Sequence, residues 1–274
     1  MPQLDLSPGN GLFYDYAPPG ARGLTFVFVN ALTGSTAMWE AEIAPALRDA
    51  GYGTLAYNFR GQADSPFTAG SELGQALIVE DLCRLLAELR PPRPVLVGLS
   101  IGGLFAAGAH LAGAAAEGLV LINTLRRPGP RLDWINDATL CAARVGGLRL
   151  LMDLNMPLLV NEARLKEIRA GFLTEAPYEP LDPAHGHYNL LAQSARADWD
   201  LPYEQLDLPT LVMTGLQDRI FLDRDDLEAL YARLPRARRL DLRDAGHLIP
   251  VERPGATVEA LRDFGRWLED GAEP

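Results

Sequence analysis

The stretch Pro94–Gly102, PVLVGLSIG, decides the fold class of this chain. It begins as an apolar run typical of a buried strand, and the run GGLFAAGAHLA that starts at Gly102 has a helical pattern. Gly98 and Gly102 stand two positions either side of Ser100. A sharp turn from strand to helix crowds the backbone and needs small residues at these positions, which leaves the serine exposed above the sheet. The alternative, that the glycines only allow close helix packing, is weaker because the turn has a strand before it and a helix after it.

Short apolar runs alternate with helical patterns along the rest of the chain. Most of the runs are apolar on both faces, as buried parallel strands are. The alternation predicts an α/β fold with a mostly parallel, doubly wound sheet, and Leu12–Tyr16 belongs to an antiparallel edge hairpin. The predicted strands are Leu24–Asn30, Gly53–Phe59, Pro94–Ser100, Gly118–Thr124, Thr210–Gly215 and Arg238–Arg243, and the predicted helices between them are Glu72–Leu89, Gly102–Ala112, Asp225–Leu234 and Pro254–Glu269.

One long segment interrupts this alternation. Residues 125–202 carry no strand signal, only helix-like stretches such as Asp137–Asn155 and Asn161–Leu173, followed by a turn-rich part. A long insertion between two strands, at the edge of the sheet where ligands bind, predicts a helical cap or lid. We therefore expect a core domain of residues 1–124 and 203–274 and a cap of residues 125–202.

Composition and charge limit the partners. The 274 residues are 48% hydrophobic and 22% charged, as in a soluble globular protein, and the formal net charge is −11. That charge argues against nucleic acid and anionic membrane surfaces and favours a small-molecule substrate. The sequence shows no secretory signal and no apolar window long enough to cross a bilayer, so we expect a cytoplasmic protein. Its oligomeric state is not readable from the sequence.

An exposed serine reacts as a nucleophile only when a positioned base takes its proton. The chain has four histidines, and His110 falls inside the helix that follows Ser100. His185 and His187 lie in the predicted cap without a further ligand set, so we expect a plain polar loop there and no metal. His247 follows the last predicted strand, at the sheet edge where ligands bind, and is the predicted base.

The base needs a carboxylate that holds its tautomer. Asp218 comes just after the strand Thr210–Gly215, again at the carboxyl edge of the sheet. Asp244 is the competitor, but at three residues before His247 it is better placed to brace the loop. The order Ser100, Asp218, His247 predicts a catalytic triad.

A developing oxyanion needs backbone donors that point at one place. The N–H of Ile101, directly after the serine, is one candidate. The other is the N–H of Leu32, in the loop after the strand Leu24–Asn30, although this loop is equally readable as a simple turn. Side chains and backbone then supply every step, so no metal or organic cofactor is implied.

A pocket for a small substrate needs apolar walls beneath the cap. The predicted walls are Trp39, Phe67, Trp134, Phe172, Tyr188 and Leu248, together with Leu32 and Ile101, and core packing is an equally good interpretation of each aromatic residue. Arginines are frequent in the early cap and are suited to attract a substrate carboxylate, but a solvated helix face is the simpler explanation. These arginines are Arg126, Arg127, Arg131, Arg144 and Arg149.

With these residues in place, the chain resembles the α/β-hydrolase superfamily over essentially its full length. Asn58–Pro66 is similar to the D-x-R-G-x-G-x-S signature of that superfamily, with Asn58 in place of Asp and Ala63 in place of Gly. Asp244–Pro254, DAGHLIPVERP, is similar to the histidine loop, and Thr214–Asp218 to the acid loop. The resemblance implies a serine hydrolase fold with an inserted cap.

Within the superfamily, the chain looks most like 3-oxoadipate enol-lactonases and related esterases. Asn30–Trp39 is similar to the N-S-L-G-T…M-W segment of that group, and Leu121–Thr124 matches as well. The resemblance implies hydrolysis of a small carboxylic ester or lactone through an acyl-enzyme. Carbon–carbon bond hydrolases, perhydrolases and acyltransferases keep the same triad and stay open, as does a ligand-binding member with negligible turnover.

Overall fold

The computed structural model describes residues 2–271, in which eight strands form one sheet. These are β1 (Gln3–Ser7), β2 (Asn10–Ala17), β3 (Thr25–Val29), β4 (Gly53–Tyr57), β5 (Pro94–Leu99), β6 (Gly118–Ile122), β7 (Thr210–Gly215) and β8 (Ala237–Leu242). Their order is β1-β2-β4-β3-β5-β6-β7-β8. The hairpin β1–β2 and the pair β2–β4 are antiparallel, and all other neighbours are parallel. The predicted mostly parallel α/β sheet with an antiparallel edge hairpin is confirmed.

Helices cover both faces of this sheet. They are α1 (Thr36–Glu40), α2 (Ile43–Asp49), α3 (Gln75–Leu89), α4 (Ile101–Leu111), α5 (Pro130–Leu159), α6 (Glu162–Ile168), α7 (Gly186–Ser194), α8 (Arg224–Tyr231), α9 (Ile249–Glu252) and α10 (Pro254–Glu269). One face packs against α3, α4 and α8, and the other against α1, α2 and α10. The short helices α1, α2, α7 and α9 were not predicted, since each is too brief to show a clear helical period.

Strand β3 shows why the central strands are apolar on both faces. Phe26 and Phe28 belong to the core cluster beneath α1, α2 and α10, whereas Val27 and Val29 belong to the cluster beneath α3 and α4. Successive side chains of a strand point to opposite faces, so a strand covered on both sides has no polar face. This packing fixes the carboxyl ends of β3, β5, β6, β7 and β8 at one edge of the sheet.

The segment between β6 and β7 contains helices α5, α6 and α7 and no strand. Helix α5 is kinked at Gly146 and Gly147, where φ of Gly147 is +70° and the Glu179 carbonyl occupies the space that a Cβ would need. Ala143 and Leu151, either side of the kink, pack with Leu191 of α7. We call residues 123–209 the helical insertion; the predicted division into core and cap domains stays a prediction.

A helix that crosses a membrane must be long and apolar throughout. No helix within residues 2–271 is both long enough and apolar enough to cross a bilayer.

Candidate active site

Ser100 occupies the tight turn between β5 and α4. Its φ and ψ are 57° and −123°, a conformation that is strained for a residue with a side chain. A Cβ at Gly98 would meet the backbone of Gly103, and one at Gly102 would meet the carbonyl oxygens of Val29 and Asn30. The glycines therefore permit the close approach of β5, α4 and the loop after β3, and this packing holds the strained serine in place.

Asp218 and His247 form a buried pair at the carboxyl edge of the sheet. Nδ1 of His247 lies 2.6 Å from Oδ2 of Asp218, and Oδ1 of Asp218 accepts hydrogen bonds from the N–H groups of Ile220 and Phe221. Burial by itself raises the pKa of Asp218, but the facing His247 and the Phe221 N–H outweigh it and bring the pKa below its ordinary value. The carboxylate is thus ionised and holds the imidazole by Nδ1.

The loop that carries His247 is fixed by two side chains that the sequence analysis did not single out. Asn123, just after β6, donates from Nδ2 to the carbonyls of Gly246 and His247 and accepts from the N–H of Gly215. Glu252 accepts from the N–H groups of Gly246 and Leu248. Asn123 therefore links the histidine loop to the strand that leads to the acid. The sequence signals for it are its place at the end of a strand and its membership of the stretch Leu121–Thr124, which is similar to the enol-lactonase group.

The predicted oxyanion loop after β3 is pinned by Gln62. Its Nε2 donates to the carbonyls of Ala31 and Leu32 at 2.9 Å, and its Oε1 accepts from the N–H of Phe59. Gln62 belongs to the stretch similar to the superfamily signature, so that stretch braces the loop from behind. With both carbonyls held, the backbone of Leu32 has little freedom to turn away from Ser100.

Ser100, His247, Leu32 and Ile101 line one cavity of about 340 Å³. Its other walls are mainly apolar and come from the core and from the helical insertion. Those from the insertion include Leu132, Leu151, Met152, Leu159, Leu191 and Trp199. The structure therefore brings Ser100, His247, Leu32 and Ile101 to one mostly apolar chamber, and Asp218 reaches it only through its hydrogen bond with His247.

Five of the predicted wall residues do not line this chamber, and only Leu248 of that set of six does. Trp39 is a core residue: it is fully buried, stacks on Phe28 with ring centroids 4.6 Å apart, and donates from Nε1 to Asn30. Trp134 lies on the outer surface and is 79% exposed. Aromatic character alone does not tell which side of a helix faces a cavity.

The other three corrected residues pack elsewhere. Phe67 lies against the core cluster beneath α3 and α4. Phe172 joins a separate cluster around Met156 and Ile220. Tyr188 is half-buried on α7, away from the chamber.

Arg126 corrects the interpretation of the early arginines as a solvated helix face. It follows β6 directly, is only 5% exposed, and donates from Nη2 to Oγ of Ser100 at 2.9 Å. Its guanidinium lies between the rings of Trp199 and Phe221, 4.4 and 4.1 Å from their centroids. The signal in the sequence was its position just beyond a strand end, where ligands bind in such sheets.

The bond from Arg126 affects how Ser100 and His247 meet. No hydrogen bond joins Ser100 Oγ to His247 in this structure, and Arg126 is the side-chain partner of that oxygen. Because the guanidinium only donates, the hydroxyl proton of Ser100 remains available for the base. Catalytic hydrogen bonds of this kind are often long before substrate binds.

The remaining candidates lie outside the chamber. Oδ2 of Asp244 pairs with Nε of Arg253 at 2.8 Å, and the carbonyl of Asp244 accepts from Asn161. Asp244 therefore contacts Arg253 and not His247. The rings of His185 and His187 stack at the start of α7, where burial lowers the pKa of His187 to about 4.

A family model described as the alpha/beta hydrolase fold matches residues 25–254. The chain belongs to the α/β-hydrolase family. The predicted resemblance is thereby confirmed, and the fold is that of a hydrolase enzyme.

Relatives of this α/β-hydrolase carry several functional names. RutD from Variovorax paradoxus, provisionally named a carbamate hydrolase, is 29% identical over 76% of this chain and 79% of that protein. 3-Oxoadipate enol-lactonase 2 from Acinetobacter baylyi is 26% identical over 86% of each chain. The crystal structure of an enol-lactonase from Burkholderia xenovorans matches with a TM-score of 0.79 and 22% identity, covering 96% of this chain and 99% of that one. At that identity the structural match shows the fold alone.

Proposed function

We propose that this α/β-hydrolase cleaves a small carboxylic ester or lactone through an acyl-enzyme on Ser100. The observation that carries the proposal is the buried pair of Asp218 and His247, 2.6 Å apart, beside a serine held in a strained turn on the same chamber. Relatives named as an enol-lactonase and a carbamate hydrolase support carbonyl hydrolysis. The apolar walls suit the carbon chain of a small substrate.

In the first half of the reaction, Oγ of Ser100 attacks the carbonyl carbon and His247 takes the hydroxyl proton. Asp218 holds the imidazole and stabilises the imidazolium that forms. The backbone N–H groups of Leu32 and Ile101 bind the oxyanion of the tetrahedral intermediate. When the intermediate collapses, the bond to the leaving oxygen breaks and His247 returns the proton to it.

In the second half, water attacks the acyl-enzyme carbonyl and His247 takes a proton from that water. The bond between the carbonyl carbon and Oγ then breaks, and His247 returns the proton to Ser100. The products are a carboxylic acid and an alcohol, or a hydroxy acid when the substrate is a lactone. Protein groups carry every proton in this sequence.

The helical insertion serves this reaction as a lid. Leu132, Leu151, Leu191 and Trp199 cover the chamber from that side and keep bulk water away from the reacting bond. We assign residues 125–202 to this cap and residues 1–124 and 203–274 to the core. Because β6 and β7 flank the cap, movement of the insertion opens the chamber without disturbing the sheet.

The test is initial-rate hydrolysis of esters of increasing acyl length, simple lactones and a carbamate, by wild type and Ser100→Ala. Labelling of Ser100 by a fluorophosphonate measures the nucleophile independently of substrate choice. We expect labelling and turnover in the wild type, and neither in Ser100→Ala. A wild type that is neither labelled nor active would contradict the proposal, whereas labelling with tight ligand retention and no turnover would favour a ligand-binding member of the family.

A further inference from the structure

Arg126 carries a buried charge that makes no direct ion pair with an acidic side chain among residues 2–271. None of the ion pairs among residues 2–271 includes Arg126. Burying an unpaired charge is costly, and proteins pair most buried charges with an opposite one. Its neighbour Arg127, by contrast, is half-exposed and lies 3.8 Å from Asp226.

The hydrogen bonds of Arg126 orient the guanidinium without balancing its charge. Nη2 donates to the carbonyl of Asn123 and to Ser100 Oγ, each at 2.9 Å, and Nε makes a longer bond of 3.4 Å to the carbonyl of Thr124. Nη1 has no acceptor among residues 2–271, and it keeps some solvent-accessible surface. One edge of the guanidinium is therefore held by the protein, while Nη1 stays free to donate.

The guanidinium of Arg126 packs against the rings of both Trp199 and Phe221. Such stacking restricts the side chain and lowers the entropy that it loses when it binds a partner. Because Nη2 and Nε already have acceptors, Nη1 is the group left to donate a charge-assisted hydrogen bond to a carboxylate. The arrangement is preorganised for an anion.

The nearest carboxylate is already committed to other groups. Asp218 acts on Arg126 electrostatically, but its oxygens accept from His247, Ile220 and Phe221. Among the described residues that line the chamber, Arg126 is the one Arg or Lys, and none is Asp or Glu. Burial lowers the pKa of Arg126 to about 10, which leaves it cationic at neutral pH.

We propose that Arg126 binds a carboxylate of the substrate, close to the bond that is cleaved. This inference rests on the proposed function and narrows it to a substrate class, the half-esters of short dicarboxylic acids. The substrate anion supplies the charge partner that the folded protein lacks. The apolar walls then contact only the short carbon chain between the two carbonyl groups.

The position of Arg126 limits the length of that chain. Nη2 lies 2.9 Å from the attacking oxygen, and the carbonyl carbon must come within about 3 Å of the same oxygen before reaction. A carboxylate on the free edge of the guanidinium is then about two or three methylene groups from the scissile carbonyl. Succinate and glutarate half-esters meet this requirement, whereas longer diacids do not.

The test compares two esters of the same shape and different charge, monomethyl succinate and methyl 4-methylpentanoate, in which an isopropyl group replaces the carboxylate. The measured quantity is the ratio of kcat/KM for the anionic ester to kcat/KM for the neutral one. We expect wild type to favour the anionic ester by at least about tenfold, the ratio that one charge-assisted hydrogen bond accounts for. Arg126→Met removes the charge and keeps the length, so the ratio falls at least about tenfold in that variant.

Two further variants separate binding from other roles. Arg126→Lys keeps the charge without the planar fork, so its ratio lies between those of wild type and Arg126→Met. Arg127→Met removes a neighbouring exposed arginine and leaves the ratio as in wild type. Equal losses on both esters in Arg126→Met would mean that Arg126 only positions Ser100, and would overturn the inference.

The wild type alone also tests the proposal if Arg126→Met fails to fold. Succinate is expected to inhibit hydrolysis of the neutral ester competitively, and succinamide, its uncharged diamide, to inhibit it at least about tenfold less strongly. Equal hydrolysis of both esters, or equal inhibition by succinate and succinamide, overturns the carboxylate site while leaving the serine hydrolase intact. Absence of turnover and of fluorophosphonate labelling at Ser100 is a different failure, that of the proposed function.

Discussion

Nδ1 of His247 lies 2.6 Å from Oδ2 of Asp218, although 29 residues separate them along the chain. The ring of Phe221 packs 4.8 Å from the imidazole, and the Phe221 N–H binds the same carboxylate. The acid, the base and one aromatic neighbour therefore form a single rigid unit.

Asp218→Asn is expected to lower kcat/KM by about 10⁴-fold while the fold is kept. The amide still occupies the site but favours the wrong tautomer of His247 and stabilises no imidazolium. Asp244→Asn is the matched control, since Asp244 is near His247 in sequence but pairs with Arg253 at the surface. Similar losses of kcat/KM in the two variants would show that Asp218 is not the carboxylate of the triad.

The lowered pKa of Asp218 also predicts how stability depends on pH. The folded protein binds a proton at Asp218 less tightly than the unfolded chain, where the pKa is near 3.8, so folding stability rises with pH in that range. The stabilisation is present above pH 3.8 and is lost as the pH falls through the lower folded value. The check is urea unfolding of wild type and Asp218→Asn at pH 7, 5 and 3. The difference in unfolding free energy between the two proteins is expected to shrink at pH 3. A difference that is constant with pH would contradict this.

Backbone strain at Ser100 predicts an unusual order of stability. Ala at this position keeps the strained φ of 57°, whereas Gly adopts it freely. We expect the free energy of unfolding to be about 1 kcal/mol larger for Ser100→Gly than for Ser100→Ala. The glycine variant is then the more stable of the two, although Gly usually destabilises a folded chain. Ser194, on α7, is the control, because Ser194→Gly is expected to be less stable than Ser194→Ala. Denaturant unfolding measures both pairs.

Removal of the Asn123 side chain is expected to reduce both stability and activity. Asn123→Ala leaves the carbonyls of Gly246 and His247 and the Gly215 N–H without their partner, at a cost of about 2 kcal/mol in unfolding free energy. The shift of His247 lowers kcat/KM by about 10- to 100-fold. Asn189→Ala is the control, since Asn189 likewise bridges two segments but does not line the chamber, and the variant is expected to lose stability alone.

Gln62→Glu tests the oxyanion loop. The new carboxylate keeps the shape of the side chain but places an oxygen against the carbonyls of Ala31 and Leu32, to which Gln62 now donates. The loop then turns away, and kcat is expected to fall about 10- to 100-fold with little change in KM, because only transition-state binding is lost. Gln217→Glu, at an exposed amide that donates to Arg243, is expected to leave kcat unchanged. A change confined to KM would show that Gln62 does not position the oxyanion loop.

Much of the fold and part of the candidate site followed from local patterns. Strands β5 and β7 begin as predicted from their apolar runs, and α10 spans its predicted range. Ser100 lies in the predicted turn because Gly98 and Gly102 leave space for the backbone that packs against them. This requirement involves only a few neighbouring residues, so the local sequence shows it. The order of Ser100, Asp218 and His247 could be predicted because each follows a strand end, and parallel strands end at one edge.

The residues that were missed or misplaced depend on contacts between distant segments. Trp39 packs in the core and Trp134 faces outward, because the side of a helix that faces a cavity is set by the neighbours it meets after folding. Gln62 and Asn123 matter through hydrogen bonds to backbone that lies far from them in sequence. No local pattern records such bonds.

The parallel sheet, the tight serine turn and the strand-end positions of Asp218 and His247 follow from side-chain size and periodicity over a few neighbouring residues, so local patterns were enough to predict them. The position of Arg126 against Ser100, Trp199 and Phe221 depends instead on tertiary packing. Its place there requires the helical insertion to fold back over the sheet and remove it from water. Burial of that kind is a property of the assembled chain, and it turns one of five similar arginines into a candidate binding group.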